Sequence, residues 1–298
     1  MRILVATDGS NDAGEAVEWL AHFPLPADAA VEVVNAARLP FAVEATIAMG
    51  WREFLAENQH VVDDATKRLA KRWTRVAGRM LDGDAREAIV TAATQGKADL
   101  IVLGARGLGA VASFLLGSVS LGVTRNAPCP VLVCRGPARP VRNITIAHDG
   151  SADARLALEF CSRLPLAPDV SVHLVGVVEP LPYPATAPEL IRPKLRALLQ
   201  DFENETRNKL AVSLTEAAAV LRPHVRKVTT VMPTGVAAAT IVREAEAHDS
   251  DLIVVGARGL GALRRMALGS VSESVLRHAK CPVLVVRPQG SSAGPASA

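Results

Sequence analysis

Short apolar runs alternate with stretches of helical periodicity along this chain. Uninterrupted runs rich in Val, Ile and Leu are typical of strands that are buried on both faces, and apolar residues three and four positions apart predict amphipathic helices. Strands that alternate with helices predict right-handed crossovers and a parallel sheet covered by helices on both faces. The elements predicted for the first half, in chain order, are strand Arg2–Thr7, helix Asp12–His22, strand Ala30–Ala36, helix Thr46–Arg72, strand Arg75–Leu81, helix Asp84–Thr94, strand Asp99–Leu103, helix Ser118–Asn126 and strand Pro130–Cys134.

Four short sequence blocks occur twice in the same order, and the order of predicted elements recurs with them. The blocks are DGS at Asp8–Ser10 and Asp149–Ser151, GARGLGA at Gly104–Ala110 and Gly256–Ala262, GSVS at Gly117–Ser120 and Gly269–Ser272, and CPVLV at Cys129–Val133 and Cys281–Val285. Duplication therefore predicts two tandem α/β domains, residues 1–135 and 142–288, joined by the Pro-rich segment Arg135–Arg142.

The two halves differ in length at one place. The second half carries eleven extra residues between its second strand and its third helix. This stretch contains several prolines, so the sequence predicts a longer loop there. The prolines are Pro180, Pro182, Pro184 and Pro188. The tail, residues 289–298, is composed mainly of Gly, Ser, Ala and Pro and is predicted to be disordered.

The composition fits a globular protein and excludes several function classes. Of 298 residues, 49% are apolar and 21% charged, which allows a full core in each half. The net charge of +3 is too small to indicate a nucleic-acid partner. No apolar run reaches the roughly 18 residues of a membrane span and no signal segment is seen, so we expect a cytoplasmic protein without membrane contact. The four cysteines show no C-x-x-C pair, which fits a reducing compartment.

A glycine-rich motif, G-x-x-G followed by nine residues and G-S, follows the fourth predicted strand of each half. In open parallel sheets, ligands bind beyond the carboxyl ends of the strands, where glycine allows positive φ and a close approach of ligand to backbone. The G-S pair opens a helix whose first N–H groups lack partners and favour an anion such as phosphate, and the hydroxyls of Ser118 and Ser120 can add hydrogen bonds. The motif is neither a Walker A loop, which needs a lysine before the serine, nor the dinucleotide pattern after a first strand.

Each of these residues also has a purely structural interpretation. Without a ligand, the glycines serve turns and Ser118 is an N-cap. Asp8 and Asp149, at the ends of the first strands, either accept hydrogen bonds from a ribose or adenine or form the turn before the next helix. Arg106 and Arg258 either reach phosphate or lie in solvent. Two copies of the motif at identical spacing favour the ligand interpretation.

The DGS turn, the G-x-x-G-x(9)-G-S motif and the CPVLV strand together resemble the universal stress protein family, in its tandem-domain, ATP-binding subgroup. The resemblance covers nearly the whole chain. It implies an α/β fold in which each domain has a five-stranded parallel sheet flanked by helices (adenine nucleotide alpha hydrolase-like, or Rossmann-like), with adenine nucleotide at the strand ends. It also implies pairing of the two domains through the final strands, Pro130–Cys134 and Pro282–Arg287, and leaves further homodimerisation open.

The predicted nucleotide-binding residues combine the strand ends, the motif and the first turn of the following helix. In the first half they are Thr7, Asp8, Ala36, Leu103, Gly104, Arg106, Gly107, Gly117, Ser118, Val119 and Ser120. In the second half they are His148, Asp149, Val177, Val255, Gly256, Arg258, Gly259, Gly269, Ser270, Val271 and Ser272. The resemblance assigns the aspartates to the ribose or base, Ala36 and Val177 to adenine through their backbone, and the glycines and serines to the phosphates.

The sequence therefore predicts an ATP-binding regulator of the stress response that acts through an unidentified protein partner. Mg²⁺, where present, would be held by the phosphates and not by side chains. No lysine cradles the phosphates and no general base is repeated beside the motif, which favours binding over rapid turnover; His148, for example, stands where the first half has Thr7. Two alternatives stay open: a slow ATPase or ATP-using enzyme on the same fold, and a scaffold that binds no nucleotide. Arg264 and Arg265 occur only in the second copy and would make the anion affinities of the two sites differ.

Overall fold

The structure is a computed structural model that describes residues 1–37, 45–108, 116–181, 189–261 and 267–290, with residues 45–52 described by their backbone alone. Most of the predicted proline-containing loop lies outside the described residues. The same holds for Arg264, Arg265 and the part of the predicted tail that follows residue 290.

Within the described residues, ten strands and eight helices alternate in the predicted order. The first half consists of β1 (Arg2–Ala6), α1 (Asn11–His22), β2 (Ala30–Ala37), α2 (Ala45–Leu69), β3 (Arg75–Asp82), α3 (Ala85–Gln95), β4 (Leu100–Gly104), α4 (Ser118–Asn126) and β5 (Val131–Cys134). The second half consists of β6 (Asn143–Ala147), α5 (Ala152–Ser162), β7 (Ser171–Val175), a 3-10 turn (Glu189–Ile191), α6 (Arg192–Leu221), β8 (Lys227–Val231), α7 (Ala237–Ala247), β9 (Leu252–Gly256), α8 (Ser270–His278) and β10 (Val283–Val286). The predicted order is confirmed, and the ends differ by a few residues because capping contacts, not periodicity, set them.

All ten strands form one continuous sheet, in the order β3-β2-β1-β4-β5-β10-β9-β6-β7-β8. Within each half every neighbouring pair is parallel, as the alternation of strands and helices predicts. The halves meet where β5 pairs with β10 in antiparallel orientation, with Leu132 opposite Leu284. The carboxyl ends of the strands therefore point to opposite edges of the sheet in the two halves.

Apolar side chains cover both faces of the sheet. Successive strand residues point to opposite faces, so Ile3 and Val5 of β1 pack with α1 and α2 side chains, including Trp19, while Leu4 packs with Ile89 of α3 on the other face. Burial on both faces explains why the strands are continuous apolar runs in the sequence.

The length difference between the halves falls partly in a helix. Helix α6 has 30 residues and its counterpart α2 has 25. Pro193 stands in the first turn of α6, where a missing N–H breaks no helical hydrogen bond. The prediction that the extra residues form a loop is therefore wrong for the part that lengthens α6, and most of the remainder lies outside the described residues. Neither α6 nor any other helix within the described ranges is both long and apolar enough to cross a membrane.

Two arginines cross the junction between the halves in a reciprocal arrangement. Arg135, directly after β5, donates to carbonyl oxygens at the end of α8, including that of Ala279 at 2.6 Å. Arg287, directly after β10, donates to carbonyl oxygens at the end of α4, including that of Ala127 at 2.9 Å. Burial lowers the pKa of Arg287 to about 10, so it remains charged at neutral pH. Each half therefore caps the last helix of the other half.

Candidate functional site

Each half has a cavity at the carboxyl ends of its central strands, where the strand order reverses. The first cavity measures about 420 Å³ and lies beyond β1 and β4, and the second measures about 370 Å³ and lies beyond β6 and β9. Clefts of this size at a switch point are common small-molecule sites. The first cavity is lined by Thr7, Asp8, Ala36, Leu103, Gly104, Arg106, Gly107, Gly117, Ser118, Val119 and Ser120. The second is lined by His148, Asp149, Val177, Val255, Gly256, Arg258, Gly259, Gly269, Ser270, Val271 and Ser272. The structure thus brings together all the residues that the sequence proposed for each half.

Helices α4 and α8 begin at these cavities without a side-chain cap. Gly117 and Gly269 are the N-cap residues, and no described side chain donates or accepts a capping hydrogen bond there. Ser118 is therefore the first helical residue and not the N-cap that the structural interpretation assigned to it. The N–H of Gly117 donates to the carbonyl of Ala105 at 2.8 Å. The amides of the first helical turn are the groups left to hold an anion.

The DGS turn of each half is hydrogen-bonded to the glycine-rich motif. Asp8 Oδ1 accepts from the N–H of Ser10 at 3.0 Å, and Asp8 Oδ2 accepts from the N–H of Leu108 at 3.1 Å. The second half repeats both bonds through Asp149, at 2.9 Å each. The turn interpretation of these aspartates is therefore correct, and the same carboxylates also line the cavities.

The motif glycines make room for protein atoms. Neither Gly104 nor Gly107 has positive φ, nor do their counterparts in the second half, so the positive φ that glycine allows is not used at these positions. A Cβ on Gly104 would lie 2.6 Å from backbone atoms of Asp12 in α1, and a Cβ on Gly107 would lie 2.4 Å from Asp8 Oδ2. The left-handed glycine of the site is Gly9, with φ of 79°, in the DGS turn. The absence of side chains at these glycines therefore lets α1 lie close to Gly104 and the Asp8 carboxylate lie close to Gly107.

Two serine hydroxyls hold the motif in shape. Ser120 Oγ donates to the carbonyl of Gly104 at 2.7 Å, and Ser272 Oγ donates to the carbonyl of Gly256 at 2.6 Å. Both serines are buried, so these protons are already donated within the protein. Ser118, by contrast, is exposed at the start of its helix.

The motif arginines are paired with carboxylates. Arg106 forms a bidentate pair with Asp12, with Nε–Oδ2 of 2.9 Å and Nη2–Oδ1 of 3.0 Å, and this bond raises the pKa of Arg106. Arg258 pairs with Asp153 through Nε at 3.1 Å. The interpretation that these side chains lie in solvent is wrong for both. In each half the carboxylate lies on the first helix, Asp12 on α1 and Asp153 on α5, and it balances most of the arginine charge.

The two cavities differ in the ionisable side chains that line them. His148 and Glu179 line the second cavity. The first cavity has Thr7 at the position of His148, and the position equivalent to Glu179, Arg38, lies outside the described residues. His148 Nε2 lies 2.8 Å from Ser213 Oγ, and the buried Nδ1 has no partner among the described residues. Burial lowers the pKa of His148, so the ring is neutral at pH 7 and can offer Nδ1 to a ligand. Glu179 Oε1 accepts from the N–H of Ala237 at 2.7 Å and so caps α7.

Sequence reasoning missed the apolar walls of both cavities. In the first cavity these residues are Ala6, Ala13, Val34, Ala85, Ile89 and Leu108, and in the second they are Ala147, Ala154, Val175, Ala237, Ile241 and Leu260. Every pair of counterparts carries the same residue type in the two halves. Identity between the halves outside the glycine-rich blocks is the signal that would have identified most of them. Ser151, Glu179 and Gly261 also line the second cavity and were not predicted.

The fold and the two cavities define a class of tandem α/β protein in which each domain has an uncapped helix start facing a cleft at the strand ends. The family model of the universal stress proteins matches residues 1–135 and 140–287. The chain therefore belongs to the universal stress protein family.

Similar proteins span the whole chain or one of its halves. A universal stress protein of Mycobacterium tuberculosis is 28% identical over 332 residues, covering 99% of this chain and 97% of the relative. The crystal structure of a universal stress protein from Archaeoglobus fulgidus covers 96% of this chain and 98% of that chain, with a TM-score of 0.66 and 21% identity, which is a likeness of fold. A universal stress protein solved in complex with cAMP covers 45% of this chain and 97% of that chain, with a TM-score of 0.37 and 27% identity.

Proposed function

We propose that this universal stress protein binds an adenine nucleotide, ATP, in each half and acts as a nucleotide-dependent regulator of the stress response. One observation carries the proposal and it occurs twice: a helix start without a side-chain cap meets a cavity of about 420 Å³ in the first half and about 370 Å³ in the second. A helix start of this kind favours a bound phosphate.

The chemistry of the linings fits a nucleotide. The first-turn amides of α4 and α8 and the positive ends of the helix dipoles favour phosphate oxygens. Apolar walls that include Val34 and Ile89 in the first half suit the face of a base. A carboxylate has about four acceptor sites, so Asp8 and Asp149 keep acceptor capacity for a ribose hydroxyl beside their two backbone bonds.

The sites supply little cationic charge of their own. Arg106 and Arg258 are the cationic side chains of the described linings, and each is paired with a carboxylate. A polyphosphate bound there therefore keeps part of its charge for a divalent ion. Mg²⁺ commonly binds through substrate phosphates, which agrees with Mg²⁺ held by the nucleotide and not by side chains.

The linings favour binding over turnover. The carboxylate that the two cavities share, Asp8 and its counterpart Asp149, already accepts a backbone N–H at each oxygen. His148 lines the second cavity, where the first has Thr7. A nucleotide that is bound without being hydrolysed can act as a lasting regulatory signal.

Leu108 and Leu260, each 75% exposed beside a cavity, offer apolar surface to a partner protein whose binding depends on the nucleotide.

Ser118→Glu and Ser270→Glu each test one site. Both serines are exposed first-turn residues, where a carboxylate stabilises the helix but repels a phosphate. We expect each variant to weaken ATP binding at the altered site at least about tenfold, or about 1.4 kcal/mol, and to leave the other site unchanged. Isothermal titration calorimetry with MgATP measures both the affinity and the number of sites.

Ser118→Gln and Ser270→Gln are the matched controls, since they add similar bulk without charge, and they should bind ATP within a few-fold of wild type. The site assignment fails if wild type takes up no ATP, or if the two glutamate variants bind two nucleotides as tightly as wild type. Hydrolysis at about 1–10³ per second, the usual range for enzymes, would favour the ATP-using enzyme.

A further inference from the structure

Three metal-ligand side chains come together where α7 packs on the sheet, outside both cavities. His173 lies in the middle of β7, Glu244 lies in the last turn of α7 and His248 is its C-cap residue. Their ligand atoms all lie within 4.8 Å of one another. His173 Nε2 is 3.5 Å from Glu244 Oε2, and the two imidazole rings are stacked with centroids 3.4 Å apart.

His173 is buried with one ring nitrogen unpaired. Its side chain is 5% exposed, and Nε2 has no hydrogen-bond partner among the described residues. Nδ1 lies 2.9 Å from Thr229 Oγ1, and that hydroxyl can donate to the carbonyl of Val172 at 3.5 Å. With that hydroxyl donating to the carbonyl, Nδ1 carries the proton and the lone pair of Nε2 faces the Glu244 carboxylate, 3.5 Å away. A buried polar atom without a partner costs free energy, and a bound cation would satisfy it.

The ring nitrogens of His248 follow the same pattern. Nδ1 lies 3.0 Å from the carbonyl oxygen of Glu244, which can only accept, so Nδ1 carries the proton and Nε2 the lone pair. Histidines that bind metals donate their other ring N–H to an oxygen in this way, which fixes the tautomer. Both histidines are therefore already in the form that binds a metal.

We propose that His173, Glu244 and His248 form a binding site for a divalent transition-metal ion, Zn²⁺, in the second half. Two imidazoles and one carboxylate are a ligand set that Zn²⁺ takes in proteins, with bonds of about 2.0–2.2 Å. The fourth position of a tetrahedral ion is then open to water. His248 is exposed, so the ion has access from solvent. The His248 ring would turn out of its stack with His173, giving up the bond to the Glu244 carbonyl, to bring both Nε2 atoms to one ion.

The first half lacks this set of ligands. The positions equivalent to His173, Glu244 and His248 are Glu32, Ala92 and Gly96. Glu32 is paired with Arg79 at 2.5 Å, and together with Ala92 and Gly96 it lines a cavity of about 380 Å³. The shared fold therefore does not require histidines at these positions, and the cluster is a property of the second half alone.

The cluster is also separate from the nucleotide cavity. The part of α7 that lines that cavity is its first half, through Ala237 and Ile241, and none of the three proposed ligands is among the lining residues. A bound ion would connect the end of α7 to β7. We therefore expect Zn²⁺ to stabilise the second half whether or not nucleotide is present.

Zinc titration of the full-length, chelator-treated and nucleotide-free protein tests the proposal. We expect calorimetry to show one Zn²⁺ per chain for wild type, with a rise in Tm. His248→Ala and Glu244→Gln should each weaken binding at least tenfold and abolish that rise. Co²⁺ should give the visible absorption of a four-coordinate ion in wild type and not in His248→Ala. His248 is exposed and Glu244 half-buried, so both variants should fold.

His278→Ala is the matched control. His278 is also exposed, and its Nδ1 lies 2.7 Å from the carbonyl of Ser274, four residues earlier on α8. The control should bind Zn²⁺ as wild type does. Equal zinc affinity in His248→Ala and wild type, or no binding of one ion per chain by wild type, would overturn the site. ATP titrations of His248→Ala should match wild type, which separates this result from failure of the nucleotide site.

Discussion

At the residue scale, Gly104 and Gly107 allow the glycine-rich motif to pack closely against the rest of the first domain. The missing side chain of Gly104 lets the backbone of α1 approach β4, and that of Gly107 lets the Asp8 carboxylate lie against the motif. Ser120 closes the motif from within α4 by donating to the Gly104 carbonyl. These contacts fix the start of α4 without a ligand, so the amides that face the cavity are preorganised.

Gly104→Ala and Gly256→Ala should each lower the free energy of unfolding by about 1–3 kcal/mol in the absence of nucleotide, as overpacking does. The added methyl group would lie 2.6 Å from the backbone of α1 in the first case and 2.7 Å from that of α5 in the second. Urea denaturation followed by circular dichroism measures the loss. In Gly14→Ala the new methyl group meets open space on α1, so stability should stay equal or rise by up to about 1 kcal/mol. Wild-type stability of Gly104→Ala would contradict the packing role.

The positions of the site residues were predictable from the sequence, but their contacts were not. Motif spacing and its duplication located the cavity linings because the strand ends of a parallel sheet converge at one edge. The partner of Arg106 was not predictable, since spacing does not reveal which carboxylate α1 brings within 3 Å of it. The burial of His148 was equally hidden, because its neighbour Ser213 comes from a distant helix.

Helices α4 and α8 link each cavity to the junction between the halves at the element scale. Helix α4 begins with open amides at the first cavity and ends at the guanidinium of Arg287 from the second half. Helix α8 ends in the same way at Arg135 from the first half. Each helix has nine residues, which is about 13 Å of rise. The arginine charge also complements the negative end of the helix dipole.

Arg287→Met should lower the free energy of unfolding by about 3 kcal/mol or more, because each hydrogen bond from a charged donor contributes about 1.5–3 kcal/mol and the variant leaves several buried carbonyls unpaired. Urea denaturation is the measurement. Arg125→Met is the control: its guanidinium pairs across the junction with Glu273 at 2.7 Å but is 47% exposed, so its loss should cost less than about 1 kcal/mol. Equal losses of unfolding free energy for the two substitutions would show that the burial of Arg287 does not increase its contribution to stability.

The duplication made the architecture of the whole molecule predictable. Alternating strands and helices gave the parallel sheet of each half, since a parallel connection needs a crossover. Pairing of the halves through their final strands was expected only from the family resemblance, because a buried junction strand and a buried interior strand have the same apolar pattern. The antiparallel orientation of that pair was not predicted. The reciprocal capping by Arg135 was not foreseen, since that residue stands in a segment that reads as a linker.

A fragment of residues 1–139 should form a dimer. In the full chain Val131, Leu132 and Val133 of β5 are fully buried against β10, and β10 presents the same Val-Leu-Val sequence. A second copy of β5 can therefore replace β10 with identical side chains, and Arg135 can cap the last helix of the other copy. Sedimentation velocity should give the mass of two fragments. A monomeric fragment with native helix content would contradict the expected pairing.

The antiparallel junction also determines how neighbouring molecules can reach the two cavities. Since the strands of one half run antiparallel to those of the other, the two cavities open at opposite edges of the sheet. A protein that binds over one cavity therefore leaves the cavity at the opposite edge accessible. The molecule can therefore present two separate faces to two neighbours, one at each cavity.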